Sequence, residues 1–201
     1  MSKCPPLFGR IAIVEDPDTK SRVPGEDLWT SRLRYGSLTI PDNPELQEPS
    51  LVWGREVELR SSLGAGGRGM ELSELVVHRG HLLTLDDRTG VVYRVRGDGV
   101  VPWVILADGD GTKTKGLKAE WATVGPGGDL WVGGLGKEWT SGTGELVNKD
   151  PMWVKVVSGG GEVRHLDWSR RYEQVRHCRR SSRRRSSRRC VLRQECLGPD
   201  T

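Results

Sequence analysis

Apolar residues in this chain come in short bursts, and nearly every burst ends at a turn signal. Residues 11–14 form a brief apolar run that closes on acids. Residues 75–78, 81–85, 91–95 and 100–106 are four more runs rich in Val, Leu and Ile. Between them lie Arg79-Gly80, Asp86-Asp-Arg-Thr-Gly90 and Gly97-Asp-Gly99, each with the chemistry of a tight turn. Strands in series joined by such turns predict an antiparallel meander.

The pattern then returns. Residues 121–124 are apolar, Gly125-Pro-Gly-Gly-Asp129 is a turn, and residues 130–132 are apolar again. Residues 153–157 and 163–166 follow, separated by Gly159-Gly-Gly161. Setting Ser73 over Glu120 aligns Leu75 with Ala122 and Val77 with Val124. Four-stranded units repeating at roughly 40–50 residues mark a β-propeller. Two copies also fit an ordinary β-sandwich, and the pattern alone leaves both open. Gly and Pro punctuate too often for a helical fold, and only residues 26–35 could form a short helix.

Composition adds an asymmetry. The 201 residues carry a net charge of +4, yet eleven of the 31 basic residues fall after Trp168, against three acids. That tail carries +8 and the preceding body −4, so an argument from basicity to nucleic acid concerns the tail alone. Residues 169–189 are low in complexity and dominated by Arg and Ser, which predicts disorder because like charges repel and little apolar surface is available to bury. The domain expectation is an N-terminal extension over 1–8, a β domain over 9–168 and a basic tail over 169–201. The four Cys residues lie at 4, 178, 190 and 196, so the body has no disulfide framework. No apolar run approaches the roughly 20 residues of a membrane span. The first residues lack the apolar core of a signal peptide.

Two glycine-rich motifs carry little. Gly64-Ala-Gly66-Gly-Arg-Gly69 matches the dinucleotide fingerprint, but no strand–helix context surrounds it, and it reads as a loop. Asp108-Gly-Asp110-Gly-Thr112 begins like an EF-hand, then has Lys113 where Gly is required and Ala119 where Glu is required. It reads as a polar turn. His78, His81, His165 and His177 lack metal-ligand spacing and read as surface or turn residues. The acids beside turns are more informative. Asp16 and Asp18 follow the first run, Asp86-Asp87-Arg88 sits in a turn, and Glu120 lies between Lys118 and Trp121. Singly these are ordinary solvated charges. Together they could ring one end of a propeller, where carboxylates suit a hard cation such as Ca²⁺. Such a cation would neutralise a diphosphate.

Several strings carry a resemblance. Gly69-Met-Glu-Leu-Ser-Glu-Leu75, Asp86-Asp-Arg-Thr-Gly-Val-Val-Tyr93, Val101-Pro-Trp-Val-Ile-Leu106, Lys118-Ala-Glu-Trp121 and Gly133-Gly-Leu-Gly-Lys-Glu-Trp139 resemble the calcium-dependent apyrases. The resemblance runs from about Gly9 to Trp168. It implies an all-β, five-bladed propeller, one Ca²⁺ in the central tunnel, and hydrolysis of UDP, GDP and related nucleoside diphosphates to monophosphates. It also implies residence in the endoplasmic reticulum and Golgi lumen or secretion, a role in proteoglycan biosynthesis, and homodimer formation. By motif, Ser73 and Glu120 correspond to metal ligands and Asp87 to an aspartate needed for activity. Asp16 and Asp18 correspond to the first-strand acidic motif, although Asp-Pro-Asp stands where the family has Asp-Leu-Asp. Arg68, Arg88 and Lys118 are the expected phosphate contacts.

The resemblance stops after Trp168, about midway through the expected propeller. Calcium takes six to eight oxygens, so a partial ring predicts little nucleotidase activity, or a non-catalytic fragment or interaction module. RNA or an acidic partner bound through the Arg-Ser tail is a lesser alternative.

Overall fold

The computed structural model describes residues 7–42 and 47–182, with the backbone alone for 177–182. The first sheet is β1 (Leu7–Val14), β2 (Trp29–Ile40) and β3 (Ser50–Ser61), antiparallel in that order. The second is the meander β4 (Leu72–His78), β5 (His81–Asp86), β6 (Val91–Arg96) and β7 (Gly99–Ile105). The third contains β8 (Trp121–Val124), β9 (Leu130–Gly133), β12 (Trp153–Val157) and β13 (Val163–Asp167). A small hairpin, β10 (Trp139–Thr140) with β11 (Leu146–Asn148), is inserted between β9 and β12. The first strands of successive sheets touch, β1 against β4 and β4 against β8. This is how neighbouring propeller blades stand around a tunnel, and three such sheets are present without a closed ring among the described residues.

The packing explains the sequence pattern. Leu33, Val57, Leu59, Met70, Leu72, Val91 and Tyr93 form one core between the first and second sheets. Leu83, Leu85, Val92, Leu106, Leu117, Leu130, Val132 and Val157 form another between the second and third. The middle sheet is therefore buried on both faces, which is why Val91, Val92 and Tyr93 are apolar in succession rather than alternating. Each fully buried Leu or Val contributes about 1.5–3 kcal/mol. The β4–β5 turn, Arg79-Gly80, has φ of 50° and 78°. Positive φ at both central residues gives the turn whose twist matches the strands.

Three expectations need correction. Residues 26–35 do not form a helix: Trp29, Ser31 and Leu33 are buried while Arg32 and Arg34 are exposed, a period of two, and the segment begins β2. The first strand already starts at Leu7, inside the expected extension 1–8, of which residues 1–6 lie outside the described residues. The tail is not disordered at its start. Ser169–Ser182 form helix α1, docked onto the third sheet. Trp168 stacks against Trp121, Trp131 and Tyr172. Arg176 makes a bidentate pair with Glu138, and Glu173 binds Lys149 at 2.9 Å. Arg176 thus meets an acid of the body, which offsets part of the repulsion that predicted disorder. Residues 183–201 lie outside the described residues.

Candidate functional site

The expected site residues collect at one end of the sheets, on the connections between strands and, for Ser73, at the start of β4. The glycine-rich segment 64–69 is an ordered turn. Ala65 N–H donates to the Arg68 carbonyl at 2.7 Å, and the Trp29 indole donates to Gly67 O at 3.2 Å. Gly64 lies against that indole, where a Cβ would come within 2.5 Å. The turn presents Arg68, whose guanidinium grips Glu71 through two 2.6 Å hydrogen bonds and also reaches the Asp18 carboxylate. The Glu71 hydrogen bond raises the Arg68 pKa against the pull of burial, with the charges of Glu71, Asp18 and Asp87 adding to it.

The β5–β6 turn supplies the next carboxylate. Asp86 is fully buried and shapes the turn, accepting from Met70 N–H at 2.8 Å and Arg88 N–H at 2.9 Å. Burial pushes its pKa up, and these N–H groups oppose the shift. The neighbouring Asp87 is 8% exposed, and its amide donates to Glu71 O at 2.9 Å. Its carboxylate binds the Lys118 ammonium, which also lies 3.2 Å from Glu120. Burial opposes charge on Lys118, but the hydrogen bond and charge of Asp87, with the charge of Glu120, hold its pKa above the ordinary value.

The first strands of the second and third sheets are tied beside this pair. Ser73 Oγ donates to Ala119 O at 2.6 Å. Glu74 accepts from Ala122 N–H at 3.4 Å. Ser73 thus lies on β4 and Glu120 immediately before β8, the first strands of adjacent sheets. Asp18 joins the array through Arg68. Asp16 is exposed and only accepts the Asp18 N–H at 2.9 Å, closing its own turn. Arg88 is exposed, with its guanidinium beside Gly66.

Sequence reasoning passed over Glu71 and Glu74 and gave Asp86 no role of its own. Glu71 holds Arg68, Asp86 shapes the turn, and Glu74 bridges to β8. All three stood in the strings quoted above, but only burial separates them from ordinary surface acids. Two histidines also differ from expectation. His78 is buried, its Nε2 2.9 Å from Gly128 O and its ring 5.6 Å from that of Trp103. His165 is half-buried and packs against Gly111.

The electrostatics say what the array can hold. Asp18, Glu71, Asp87 and Glu120 surround two cations, Arg68 and Lys118. This leaves two negative charges over, which by themselves repel a phosphate. Ser73, Glu74 and Glu120 offer only oxygen, the donor type of a hard divalent cation. Such a cation would cancel the surplus charge, so the residues fit one. Among the described residues no three acidic, His or Cys side chains converge as a ready-made metal group. No helix among them is long and apolar enough to cross a membrane.

Comparison with known proteins gives the family. The apyrase family model matches residues 17–183, which carries the match into α1 and past the boundary expected at Trp168. The chain is 50% identical over 168 residues to soluble calcium-activated nucleotidase 1 of Mus musculus, covering 83% of this chain and 41% of that protein. It is 45% identical over 168 residues to an apyrase of Cimex lectularius, covering 83% and 46% respectively. It is 37% identical over 169 residues to an apyrase of Phlebotomus duboscqi, covering 83% and 49%. The chain thus spans somewhat less than half the length of the curated relatives it matches. With residues 17–183 inside the family match, this chain belongs to the apyrase family.

Proposed function

We propose that the chain carries the substrate-gripping part of a calcium-dependent nucleotidase that hydrolyses nucleoside diphosphates such as UDP and GDP. The observation that carries this reading is the shared array of Arg68 and Lys118 among four carboxylates. Such an array is poised to accept an anion once a divalent cation has neutralised its surplus. In this reading Ser73, Glu74 and Glu120 hold Ca²⁺, which supplies charge neutralisation for the diphosphate when bound. Arg68, Arg88 and Lys118 take the phosphate oxygens, the guanidinium groups in two-pronged fashion. Asp87 orients Lys118 and accepts the proton of the attacking water. Asp18 fixes Arg68, and Asp16 fixes Asp18. The water oxygen bonds to the terminal phosphorus and the bridging phosphorus–oxygen bond breaks. A nucleoside monophosphate and inorganic phosphate leave. The family's lumenal or secreted location, its homodimer and its part in proteoglycan biosynthesis extend to this chain under the same proposal.

The second reading, a non-catalytic interaction module, is favoured by one observation. Among the described residues no three acidic, His or Cys side chains converge near Ser73 and Glu120, short of the six to eight oxygens that calcium takes. Phosphate release from UDP by the purified chain, with calcium and then with EDTA, decides between them. Calcium-dependent release that is lost in Glu120→Ala supports the enzyme. Folded protein with no release supports the module.

A further inference from the structure

The segment between β7 and β8 makes an excursion that the site above does not use. Residues 108–115 leave and return through the Ala107–Gly116 bridge, with Leu117 N–H donating to Leu106 O at 2.7 Å and Asp108 N–H to Lys115 O at 2.9 Å. Leu106 N–H in turn donates to Gly90 O at 2.8 Å, in the turn that carries Asp87. The excursion therefore stands on the same base as Asp87, and Lys118 follows it directly.

Opposite the excursion lies the β10–β11 hairpin. The two enclose a cavity of about 320 Å³, lined by Asp108, Lys113, Lys115, Trp139, Asn148 and Asp150 among others. That is within the range of small-molecule sites. The Trp139 ring is 40% exposed, and the Lys115 ammonium lies 4.8 Å from its centroid. Lys113 lies 3.7 Å from Asp150 and Lys115 lies 3.7 Å from Asp108. Both separations exceed hydrogen-bond length, so each ammonium and each carboxylate keeps bonding capacity for a guest. The two pairs are balanced in charge. The cavity therefore does not select a phosphate. It suits a flat, neutral ring with both donors and acceptors on its edge, stacked on an indole.

The floor under this cavity is rigid. Lys155 is wholly buried on β12 and its ammonium donates to the Gly109 carbonyl. Gly109 and Gly111 leave no room for a side chain, since a Cβ would meet Asp150 at 2.7 Å and His165 at 2.4 Å. A held loop can act as one wall of a pocket without an ordering cost on binding.

We infer that the cavity between the 108–115 excursion and the β10–β11 hairpin takes the base of the nucleotide, with Trp139 as its stacking platform. The inference rests on the nucleotidase reading and adds where the nucleoside end lies. Lys115 and Lys118 are three residues apart, at most about 11 Å along the chain. That span is of the order of a nucleoside diphosphate, so the phosphates reach Lys118 while the base sits against Trp139.

The test uses the full chain with calcium and two uncleavable probes, the α,β-methylene analogue of UDP and the base-free methylenediphosphonate. Titration of wild type, Trp139→Ala and Trp139→Phe separates base from phosphate. Trp139→Ala should weaken the UDP analogue about tenfold, the scale of a lost base–aromatic stack, with methylenediphosphonate unchanged and Trp139→Phe close to wild type. Equal weakening of both probes, or no weakening of the UDP analogue, overturns the base site and leaves the nucleotidase reading standing. If wild type binds neither probe, the nucleotidase reading fails and takes the base site with it.

Discussion

The Lys118 ammonium and the Asp87 carboxylate bind one another across the seam between the second and third sheets. Asp87 is almost wholly buried there, and Lys118 is the cation that pairs with it. Lys118→Met removes the partner and leaves a buried carboxylate unpaired, at a cost of about 1–3 kcal/mol. Urea unfolding should show that loss, and Asp87→Asn in the same chain should recover most of it. UDP binding should stay weak in both variants, because the ammonium that meets phosphate is gone.

Lys155 makes stability depend on pH in the alkaline range. Burial lowers its pKa to about 8, against the opposing charges of Asp108, Asp110 and Asp150. Between pH 8 and 10 the unfolded chain binds a proton on this lysine that the folded chain does not. Stability therefore rises with pH across that window, by at most about 1.4 kcal/mol per unit. Above pH 10 the buried Tyr93 works the other way, since burial raises its pKa to about 12. Thermal unfolding of wild type should show the rise, and Lys155→Met should flatten it.

The docking of α1 should be sensitive to acid. The Arg176 hydrogen bond, helped by the Arg176 charge, holds the Glu138 pKa down to about 2. A depressed carboxylate contributes stability above its unfolded pKa and loses it as pH falls through the folded value. The helix should therefore loosen from the Trp168 cluster as pH falls from about 4.5 to 2. Near-ultraviolet dichroism should report the change, and Arg176→Ala should show the loosened signal already at neutral pH.

Gly90 should resist substitution. It has φ of 73°, and an added Cβ would lie 2.4 Å from Leu106 O and 2.8 Å from Leu117 N. Gly90→Ala combines a disfavoured backbone conformation with a clash against backbone that carries the 108–115 excursion. The expected cost is about 2–4 kcal/mol. A midpoint in denaturant unchanged from wild type would contradict the close approach.

Much of this architecture was legible in the chain. The turn residues at Arg79-Gly80 and Gly97-Asp98, with apolar runs between them, marked the second sheet strand by strand. The 47-residue offset of Ser73 and Glu120 placed Ser73 on β4 and Glu120 immediately before β8, the first strands of neighbouring sheets. The strands β2 and β3 were not legible as such, because their exposed faces are crowded with Arg and Glu and only Trp29, Leu33, Val57 and Leu59 among their apolar residues are buried in the core. Helix α1 was hidden for the opposite reason. Its charges looked repulsive until Glu138 of the body faced Arg176 and Lys149 faced Glu173.

The sequence by itself determined the all-β class, the repeat and the family, because these rest on local periodicity, turn chemistry and contiguous strings of residues. Only the tertiary structure decided which acids matter. Asp87 differs from Asp16 by burial and by a cation brought from a distant connection, Lys118, and Glu71 differs from any surface glutamate by burial. Burial and charge pairing depend on residues distant along the chain, such as Lys118 for Asp87 and Gly109 for Lys155. No local pattern encodes those distances, so they emerge when the sheets pack.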